Sequence, residues 1–291
     1  MTTRNFALQA QVKPINCIFV KMNDVKARNI EVRRGGAGTK AALGGGLGVG
    51  GMILVLVFNL LSGGSSPDIA GVLSQLQQGG GVTVEGETVH GNTLEGQELF
   101  GGQMMTLLAD YWEGEASSLN FTFEEPGFVV FDSPTQTGGC GLGRPEAGPF
   151  YCPADKKIYI DFGFYQRLEH ELGFDGDFAM AYVIAHEYGH HVQNLLGVMD
   201  RRSGGNAQSV RVELQADCFA GAWASAAKAE GRLEAGDFNE AIRAANAVGD
   251  DAIQGAGASR DTFTHGSSAE REQWFRQGFD SADPASCKTG A

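Results

Sequence analysis

The stretch AHEYGHH, residues 185–191, concentrates three histidines and one glutamate in a chain that is otherwise rich in glycine and alanine. Residues four apart in a helix lie on the same face, so the rings of His186 and His190 point in one direction. Two imidazoles at this spacing suit the binding of one Zn²⁺. Glu187 then projects beside the metal, where it can serve as a base. This H-E-x-x-H pattern predicts a zinc site on a helix.

Helix signals surround this stretch and extend the predicted helix in both directions. The segment DFAMAYVIAHEYGHHVQNLLG, residues 177–197, carries apolar residues at helical spacing. Asp175 or Asp177 can cap its start, and Gly197 can end it. We expect His191 to lie off the face of the two candidate ligands, where it packs or bonds locally.

A second predicted helix, residues 207–231, supplies acidic side chains for the same site. A catalytic zinc needs a third protein ligand and an open position for water. The motif ELQAD places Glu213 and Asp217 four apart on one helix face. We predict Glu213 as the third ligand and Asp217 as the acceptor that orients the N–H of a ligand histidine. The alternative is a solvated acidic pair, which the apolar neighbours Leu214 and Phe219 disfavour.

Hydrolysis at such a site needs a proton carrier and a donor for the developing oxyanion. Glu187 can take a proton from the attacking water and pass it to the leaving amine. His265, in the motif THGSS, is the preferred oxyanion donor, because it follows a glycine-rich loop and precedes a predicted helix. Tyr165 and Tyr188 are weaker candidates for this role. Alternatively, His265 is structural and caps that helix or bonds an acid of the GDD stretch, residues 249–251.

The order of predicted elements favours an α+β fold, mainly helical with a small sheet. Strands are predicted in residues 121–133 and 157–165, which are rich in β-branched and aromatic residues. Outside the two zinc helices, helical patterns lie in residues 100–117, 234–254 and 267–282. The pattern in residues 234–254 fits one helix or two short ones, and Ser267 or Ser268 can cap the last helix.

A long apolar stretch predicts a membrane anchor near the N-terminus. Residues 41–61 contain a single polar side chain, and about 20 apolar residues span a bilayer as a helix. The alternative is a cleaved signal peptide, but no typical cleavage site follows the stretch. We therefore predict four regions: a basic head at residues 1–40, a transmembrane helix at residues 41–61, a flexible Gly/Ser-rich tether at residues 62–98 and a catalytic zinc domain at residues 99–291.

The charge distribution predicts which side of the membrane each region occupies. Residues 1–40 hold eight basic and two acidic side chains, a formal charge of +6. Since the whole chain has a formal charge of −13, the remainder carries −19. Basic residues before the apolar stretch place the head in the cytoplasm and the acidic remainder outside. The negative charge also argues against nucleic acid as a partner.

Four of the five cysteines follow the apolar stretch, an even number as expected in an oxidising compartment. Four cysteines permit three pairings. Cys140 and Cys152 flank a Gly/Pro-rich loop and are the expected bridge, which would leave Cys218 to pair with Cys287. A buried free thiol at Cys218 is the alternative.

Six motifs together resemble the bacterial putative neutral zinc metallopeptidase family. In chain order they are CGLG, GPFYCPADKKIYIDFGFY, AHEYGHHVQ, ELQADCFAG, GDD and THGSS. The resemblance covers roughly residues 28–287 and implies a zincin-like catalytic domain. It also implies that Zn²⁺ is bound by His186, His190 and Glu213, with Glu187 as the catalytic base.

These observations predict a zinc peptidase anchored in the cytoplasmic membrane by one transmembrane helix, with its catalytic domain in the periplasm or outside the cell. Its expected partners are peptide or protein substrates and the lipid bilayer. A non-catalytic, membrane-tethered binding protein with a structural zinc site is the alternative, but such a site has no use for Glu187 beside the metal. A zinc hydrolase of non-peptide amides is a weaker alternative. Residues 1–21 have no counterpart in the family, and we expect translation to begin at Met22.

Overall fold

A computed structural model describes residues 20–35, 86–163, 178–199, 205–255 and 257–291. Its described part contains the helices α1 (Gly96–Glu115), α2 (Phe178–Leu195), α3 (Gly205–Ala229), α4 (Asp237–Ala247), α5 (Asp250–Gln254) and α6 (Ser268–Ser281). These helices accompany one small mixed sheet, so the predicted α+β class is confirmed. The pattern in residues 234–254 forms two short helices, α4 and α5.

The main sheet contains five strands. From one edge to the other they are β2 (Glu87–Val89), β1 (Ile30–Arg33), β3 (Gly127–Phe131), β7 (Lys157–Ile160) and β6 (Phe150–Cys152). Strands β1, β3 and β7 run parallel, whereas β2 and β6 are antiparallel to their neighbours. A separate ladder pairs β4 (Thr135–Gln136) with β5 (Leu142–Gly143). Helix α2 packs against β6 and β7, which places the predicted metal-binding helix near one edge of the sheet.

The N-terminal segment, residues 20–35, is part of the folded domain. Its strand β1 is hydrogen-bonded on both sides, to β2 and to β3. Met22 and Ile30 are buried in the main hydrophobic core. The predicted boundaries, a separate head at residues 1–40 and a domain that begins at residue 99, therefore differ from the structure, in which β1 and β2 belong to the domain.

Basic side chains of this segment have acidic partners within the domain. Nη2 of Arg28 lies 2.9 Å from Oε1 of Glu125, and Arg34 pairs with Glu98. Arg28 and Arg34 are two of the eight basic residues from which a cytoplasmic head at residues 1–40 was predicted. Charge pattern alone does not distinguish residues that face a membrane surface from residues that pair with acids of a neighbouring element.

Two further predictions concern the residues on either side of this segment. The predicted transmembrane helix, residues 41–61, lies outside the described residues. None of the helices in the described part of the chain is long and apolar enough to cross a membrane. On the other side, Val20 is buried and the N–H of Lys21 donates to the carbonyl of Arg232, so residues before Met22 contact the domain.

Gly197 ends α2 and Ser267 caps α6, as predicted. Gly197 follows α2 with a φ of 71°, and the N–H of the next residue, Val198, donates to the carbonyl of Gln193 at 2.9 Å. At the start of α6, Ser267 and Glu270 form a reciprocal capping box. The predicted caps of α2, at residues 175 and 177, lie outside the described residues.

Glycines allow the helices around the site to approach closely. A Cβ on Gly189 of α2 would lie 3.2 Å from the backbone of Ala216 of α3. Between α3 and α6 the contact is closer, because a Cβ on Gly221 or on Gly278 would lie 2.0 or 1.9 Å from a carbonyl oxygen of the other helix. Any larger residue at these two positions would push α3 and α6 apart.

Two disulfides join the cysteines as predicted. Cys140 is bonded to Cys152, which closes the loop that leads into β6. Cys218 is bonded to Cys287, which ties the C-terminal segment to α3 and excludes a free thiol at Cys218.

Candidate metal centre

Helix α2 brings His186 and His190 together on one face, as their spacing predicts. Their ring centroids are 4.7 Å apart, and the two residues are only 6% and 8% exposed. Helix α3 can reach these rings because Gly189, between them in sequence, leaves no side chain in the contact between the two helices.

Glu213 of α3 completes a cluster of three potential ligands. Its Oε2 lies 3.2 Å from Nε2 of His186, and its Oε1 lies 3.5 Å from Nε2 of His190. One ligand atom from each of the three residues lies within 4.8 Å of the other two. The structure thus brings together the three residues that the sequence predicts as metal ligands.

Asp217 engages the other nitrogen of His186. Nδ1 of His186 lies 2.8 Å from Oδ1 of Asp217, which is fully buried. An ionised carboxylate only accepts hydrogen bonds, so Nδ1 carries a proton, which leaves Nε2 as the nitrogen that can ligate a metal. This contact has the geometry predicted for Asp217 as the acceptor that orients a ligand histidine.

Arg271 and Tyr182 in turn hold Asp217, and neither was predicted from the sequence. Arg271 donates to the two carboxylate oxygens from Nε and Nη2, each at 2.9 Å, and the hydroxyl of Tyr182 donates at 2.6 Å. Arg271 is only 3% exposed. A signal was present in the sequence, because Arg271 lies one helical turn before the buried Phe275 and therefore on the apolar face of α6.

The donor set fits Zn²⁺. Two imidazole nitrogens and one carboxylate are ligands typical of catalytic zinc sites, which leave a fourth position open. Nδ1 of His190 lies 2.8 Å from Oε1 of Gln193, so both ligand histidines have their Nδ1 engaged and their Nε2 directed toward Glu213. The two nitrogens that remain available for a metal therefore face the same carboxylate.

Burial and charge together set the protonation of the cluster. Burial lowers the pKa of His186, but Asp217 and Glu213 outweigh it and raise this pKa to about 9. Burial raises the pKa of Glu213, but the charges of His190 and His265 hold it well below its usual range. Without a metal, His186 thus binds a proton on Nε2 as well, beside an ionised carboxylate, and a metal cation would replace that proton.

Glu187 lies beside the cluster but is not one of its three ligands. Glu187 is 8% exposed. Burial raises the pKa of its carboxyl, even though the charges of His190 and His186 oppose the shift. A carboxylate with a raised pKa accepts a proton more readily at neutral pH than an exposed one does. The site therefore contains a proton acceptor next to the potential metal ligands.

His191 and Tyr188 of α2 have their contacts outside the cluster. His191 is fully buried, with Nδ1 3.0 Å from the hydroxyl of Tyr151 and Nε2 2.6 Å from the carbonyl of Glu124. Burial lowers the pKa of His191 to about 4, so it is a neutral structural residue, as expected. Tyr188, a weaker oxyanion candidate, is fully buried against His191, and Tyr165 lies outside the described residues.

The loop that carries His265 folds back onto α3. A Cβ on Gly266 would lie 3.2 Å from a side-chain carbon of Leu214. The charge of His265 acts on the neighbouring residue Glu213, whose pKa it helps to lower. The predicted position of His265 near the metal ligands is therefore compatible with the structure.

Asp250 holds this loop in place through hydrogen bonds to the backbone. The alternative prediction, in which His265 is structural and bonds an acid of residues 249–251, is therefore met by its backbone N–H. Oδ2 of Asp250 accepts hydrogen bonds from the backbone N–H groups of Thr264, His265 and Gly266, at 2.8, 2.6 and 2.9 Å. The ring Nδ1 of His265 lies 2.8 Å from Oγ1 of Thr264. Because Asp250 bonds the backbone at three points, it can fix the loop without occupying both ring nitrogens of His265.

Comparisons with known proteins bear on the identity of this site. The sequence matches the family described as "Putative neutral zinc metallopeptidase" over residues 21–290. It is 41% identical to "Uncharacterized protein YpfJ" of Escherichia coli K12 over 282 residues, 90% of this chain and 95% of that protein. It is 45% identical to "Uncharacterized protein Rv2575" of Mycobacterium tuberculosis over 185 residues, 57% of this chain and 63% of that protein. No solved structure matches the chain. The chain therefore belongs to the putative neutral zinc metallopeptidase family.

Proposed function

We propose that the protein is a zinc-dependent peptidase with a zincin-like catalytic domain. One observation carries the proposal: His186, His190 and Glu213 place ligand atoms within 4.8 Å of one another, and Glu187 lies beside them without being a ligand. A purely structural zinc site is usually closed by four protein ligands. Three ligands and an adjacent carboxylate of raised pKa are what a hydrolytic site requires.

The residues of the site have separate roles in the proposed hydrolysis. A bound zinc ion would lower the pKa of water and polarise the scissile carbonyl. Glu187 takes the proton of the attacking water and returns it to the leaving amine. His265 donates a hydrogen bond to the oxygen that becomes negative, and Asp250 fixes the loop that positions it. Asp217, held by Arg271, keeps the ring of His186 in place.

Strand β6 supports a peptide as the substrate rather than another amide. Within the described residues, β6 pairs with β7 on one side, and the other edge of the strand has no partner in the sheet. An unpaired strand edge can bind an extended peptide through main-chain hydrogen bonds. The same strand packs against α2, so a peptide bound there would run alongside the helix that carries His186 and His190.

The substitution Glu187→Gln tests this function. The variant should keep its zinc and lose cleavage of a peptide library, because an amide of the same shape cannot accept the proton. Glu230→Gln, an exposed carboxylate just beyond α3, is the matched control and should cleave like the wild type. Wild-type cleavage should also stop with a chelator and return with zinc. A zinc-loaded wild type that cuts no peptide, or a Glu187→Gln variant that cuts at the parent rate, would contradict the proposal.

We further propose that the whole domain, including the paired strands β1 and β2, works outside the cytoplasm, attached to the cytoplasmic membrane through residues 41–61. The apolar sequence of that stretch supports attachment, and the two disulfides support an oxidising compartment. A reporter that is active only in the cytoplasm, fused after residue 291, should be silent. An active reporter would place the domain in the cytoplasm, where both disulfides would be expected to be reduced.

A further inference from the structure

The two ligand histidines have different partners for Nδ1. His186 faces the carboxylate of Asp217, whereas His190 faces the neutral amide of Gln193, which is three residues further along α2 and fully buried. The motif AHEYGHHVQ ends at Gln193 but does not assign it a role. The site already contains the carboxylates of Glu187, Glu213 and Asp217, so an amide supplies an acceptor without adding a fourth negative charge.

The amide of Gln193 has a defined orientation because its nitrogen is engaged elsewhere. Nε2 of Gln193 donates to the carbonyl of Val212 at 2.7 Å and to Oε1 of Gln215 at 3.0 Å. Oε1 must then be the atom that faces Nδ1 of His190, and an amide oxygen can only accept. His190 therefore carries a proton on Nδ1, which leaves Nε2 as the nitrogen that can ligate a metal.

Gln215 extends this contact to the C-terminal segment. Its Nε2 donates to the carbonyl of Cys287 at 2.9 Å, and Cys287 is bonded to Cys218 on the same helix as Gln215. A continuous chain of hydrogen bonds thus runs from a potential metal ligand through two glutamines to a residue that a disulfide holds in place.

We propose that Gln193 is a positioning residue that selects the Nε2-ligating form of His190, and that Gln215 and the disulfide-bonded Cys287 hold Gln193 in the required orientation. The proposal rests on the proposed zinc site. A partner that fixes a ligand histidine typically contributes 10- to 100-fold to metal affinity, so removal of the Gln193 amide should weaken zinc binding by roughly this factor.

The test measures zinc affinity by competition with a chelator, using the full-length chain. Gln193→Leu should weaken binding about 10- to 100-fold. Asn194→Leu is the matched control: this neighbouring amide of α2 donates to Tyr151 and Pro153 and contacts no ligand, so its loss should leave zinc affinity unchanged. If Gln193→Leu binds zinc as tightly as the wild type, or if Asn194→Leu weakens binding equally, Gln193 has no positioning role.

A second variant covers the case in which Gln193→Leu does not fold. Gln215→Leu leaves His190 and Gln193 in place but removes their support, and it should also weaken zinc binding. The double variant should bind no more weakly than Gln193→Leu alone, because both act through one contact. Additive losses, or full affinity in Gln215→Leu, would refute the role of Gln215.

A spectroscopic measurement separates positioning from general stability. Co²⁺ in place of Zn²⁺ gives a visible spectrum that depends on the geometry of its ligands. This spectrum should change in Gln193→Leu and stay the same in Asn194→Leu, whatever their melting temperatures. A wild type that binds neither metal would contradict the proposed function itself, whereas identical spectra in wild type and Gln193→Leu would contradict only this inference.

Discussion

Both the metal centre and the N-terminal strand β1 bring charged side chains together, but the two regions hold them differently. At the centre, Asp217 and Arg271 are buried and bonded to each other. Around β1, the side chains of Arg28 and Arg34 are 41% and 65% exposed and pair with acids at the surface. Exposed pairs contribute about 0–1 kcal/mol, whereas loss of one member of a buried pair costs about 3–5 kcal/mol. The buried pair therefore stabilises the centre, while the exposed pairs of Arg28 and Arg34 contribute little to holding β1 in the sheet.

The position of β1 restricts how the chain can lie relative to a membrane. Strand β1 is paired with β2, and the apolar stretch, residues 41–61, lies between them in sequence. A single crossing of the bilayer by this stretch would place β1 and β2 on opposite sides, which the sheet does not permit. In the folded protein, residues 20–35 therefore lie on the same side of a membrane as the rest of the domain.

The largest expected effect tests whether β1 belongs to the domain. Val32→Asp places a carboxylate in the main core, where Val32 is 6% exposed. We expect a loss of about 4 kcal/mol or more in the free energy of unfolding, seen as a lower melting temperature. Asn23→Asp, at an exposed position of the same segment, is the control and should have little effect. Equal melting temperatures for the two variants would show that β1 is not part of the domain.

At the metal centre, the next largest effect comes from removing the buried cation. Arg271→Leu leaves Asp217 charged, buried and without its guanidinium partner, so unfolding free energy should fall by about 3–5 kcal/mol. Arg276→Leu removes an arginine from the same helix that is 43% exposed and pairs with Glu272, and it should cost about 0–1 kcal/mol. Denaturant unfolding of both variants measures the difference. Equal losses of unfolding free energy in the two variants would show that the burial of Arg271 does not increase its contribution to stability.

His265 should affect the reaction rather than the fold. His265→Ala removes the proposed oxyanion donor, so kcat should fall roughly 10²- to 10³-fold while zinc content and melting temperature stay unchanged. His90→Ala, at an exposed histidine, serves as the control in the same peptide assay. A His265→Ala variant that keeps zinc and cleaves at the parent rate would exclude a catalytic role. Activity that falls only with the folded fraction would make His265 structural.

The smallest expected effect concerns Asp250 and depends on pH. Burial raises the pKa of Asp250, but the nearby ring of His265 and hydrogen bonds from its backbone outweigh it and lower the pKa below its ordinary value. The stability that the carboxylate contributes is therefore present above the unfolded pKa of about 3.9 and is lost as pH falls below it. Asp250→Asn should cost about 1–3 kcal/mol at pH 7.

The difference in unfolding free energy between wild type and Asp250→Asn should then become smaller as the pH falls below about 4. Urea unfolding of both proteins across this range measures it. A difference that stays constant from neutral to acidic pH would show that the charge of Asp250 does not hold the His265 loop.

The metal centre could be predicted from the sequence to the extent that it depends on local geometry. The spacing of four between His186 and His190, and between Glu213 and Asp217, fixes each pair on one helix face wherever the helix lies. Gln193 lies three residues after His190 and so shares its face, but the orientation of its amide depends on α3. The contact of Arg271 with Asp217 likewise depends on how α3 and α6 pack.

The sheet was harder to predict because its strands are short and their pairing is distant in sequence. In β1 only Ile30 and Val32 alternate with polar residues, and two apolar positions do not distinguish a strand from a loop. The partner of β1, strand β3, begins at Gly127, far along the chain. Strand β6 has three residues and gives no periodic signal at all.

Zinc binding by the full-length chain tests the central claim most directly. The wild type should bind one Zn²⁺ through His186, His190 and Glu213, and Glu213→Ala should lose most of the affinity. Asp217→Ala removes only the partner of a ligand and should weaken binding about 10- to 100-fold. Metal content and affinity should therefore fall further in Glu213→Ala than in Asp217→Ala. A Glu213→Ala variant that retains its zinc while Asp217→Ala is empty would contradict it.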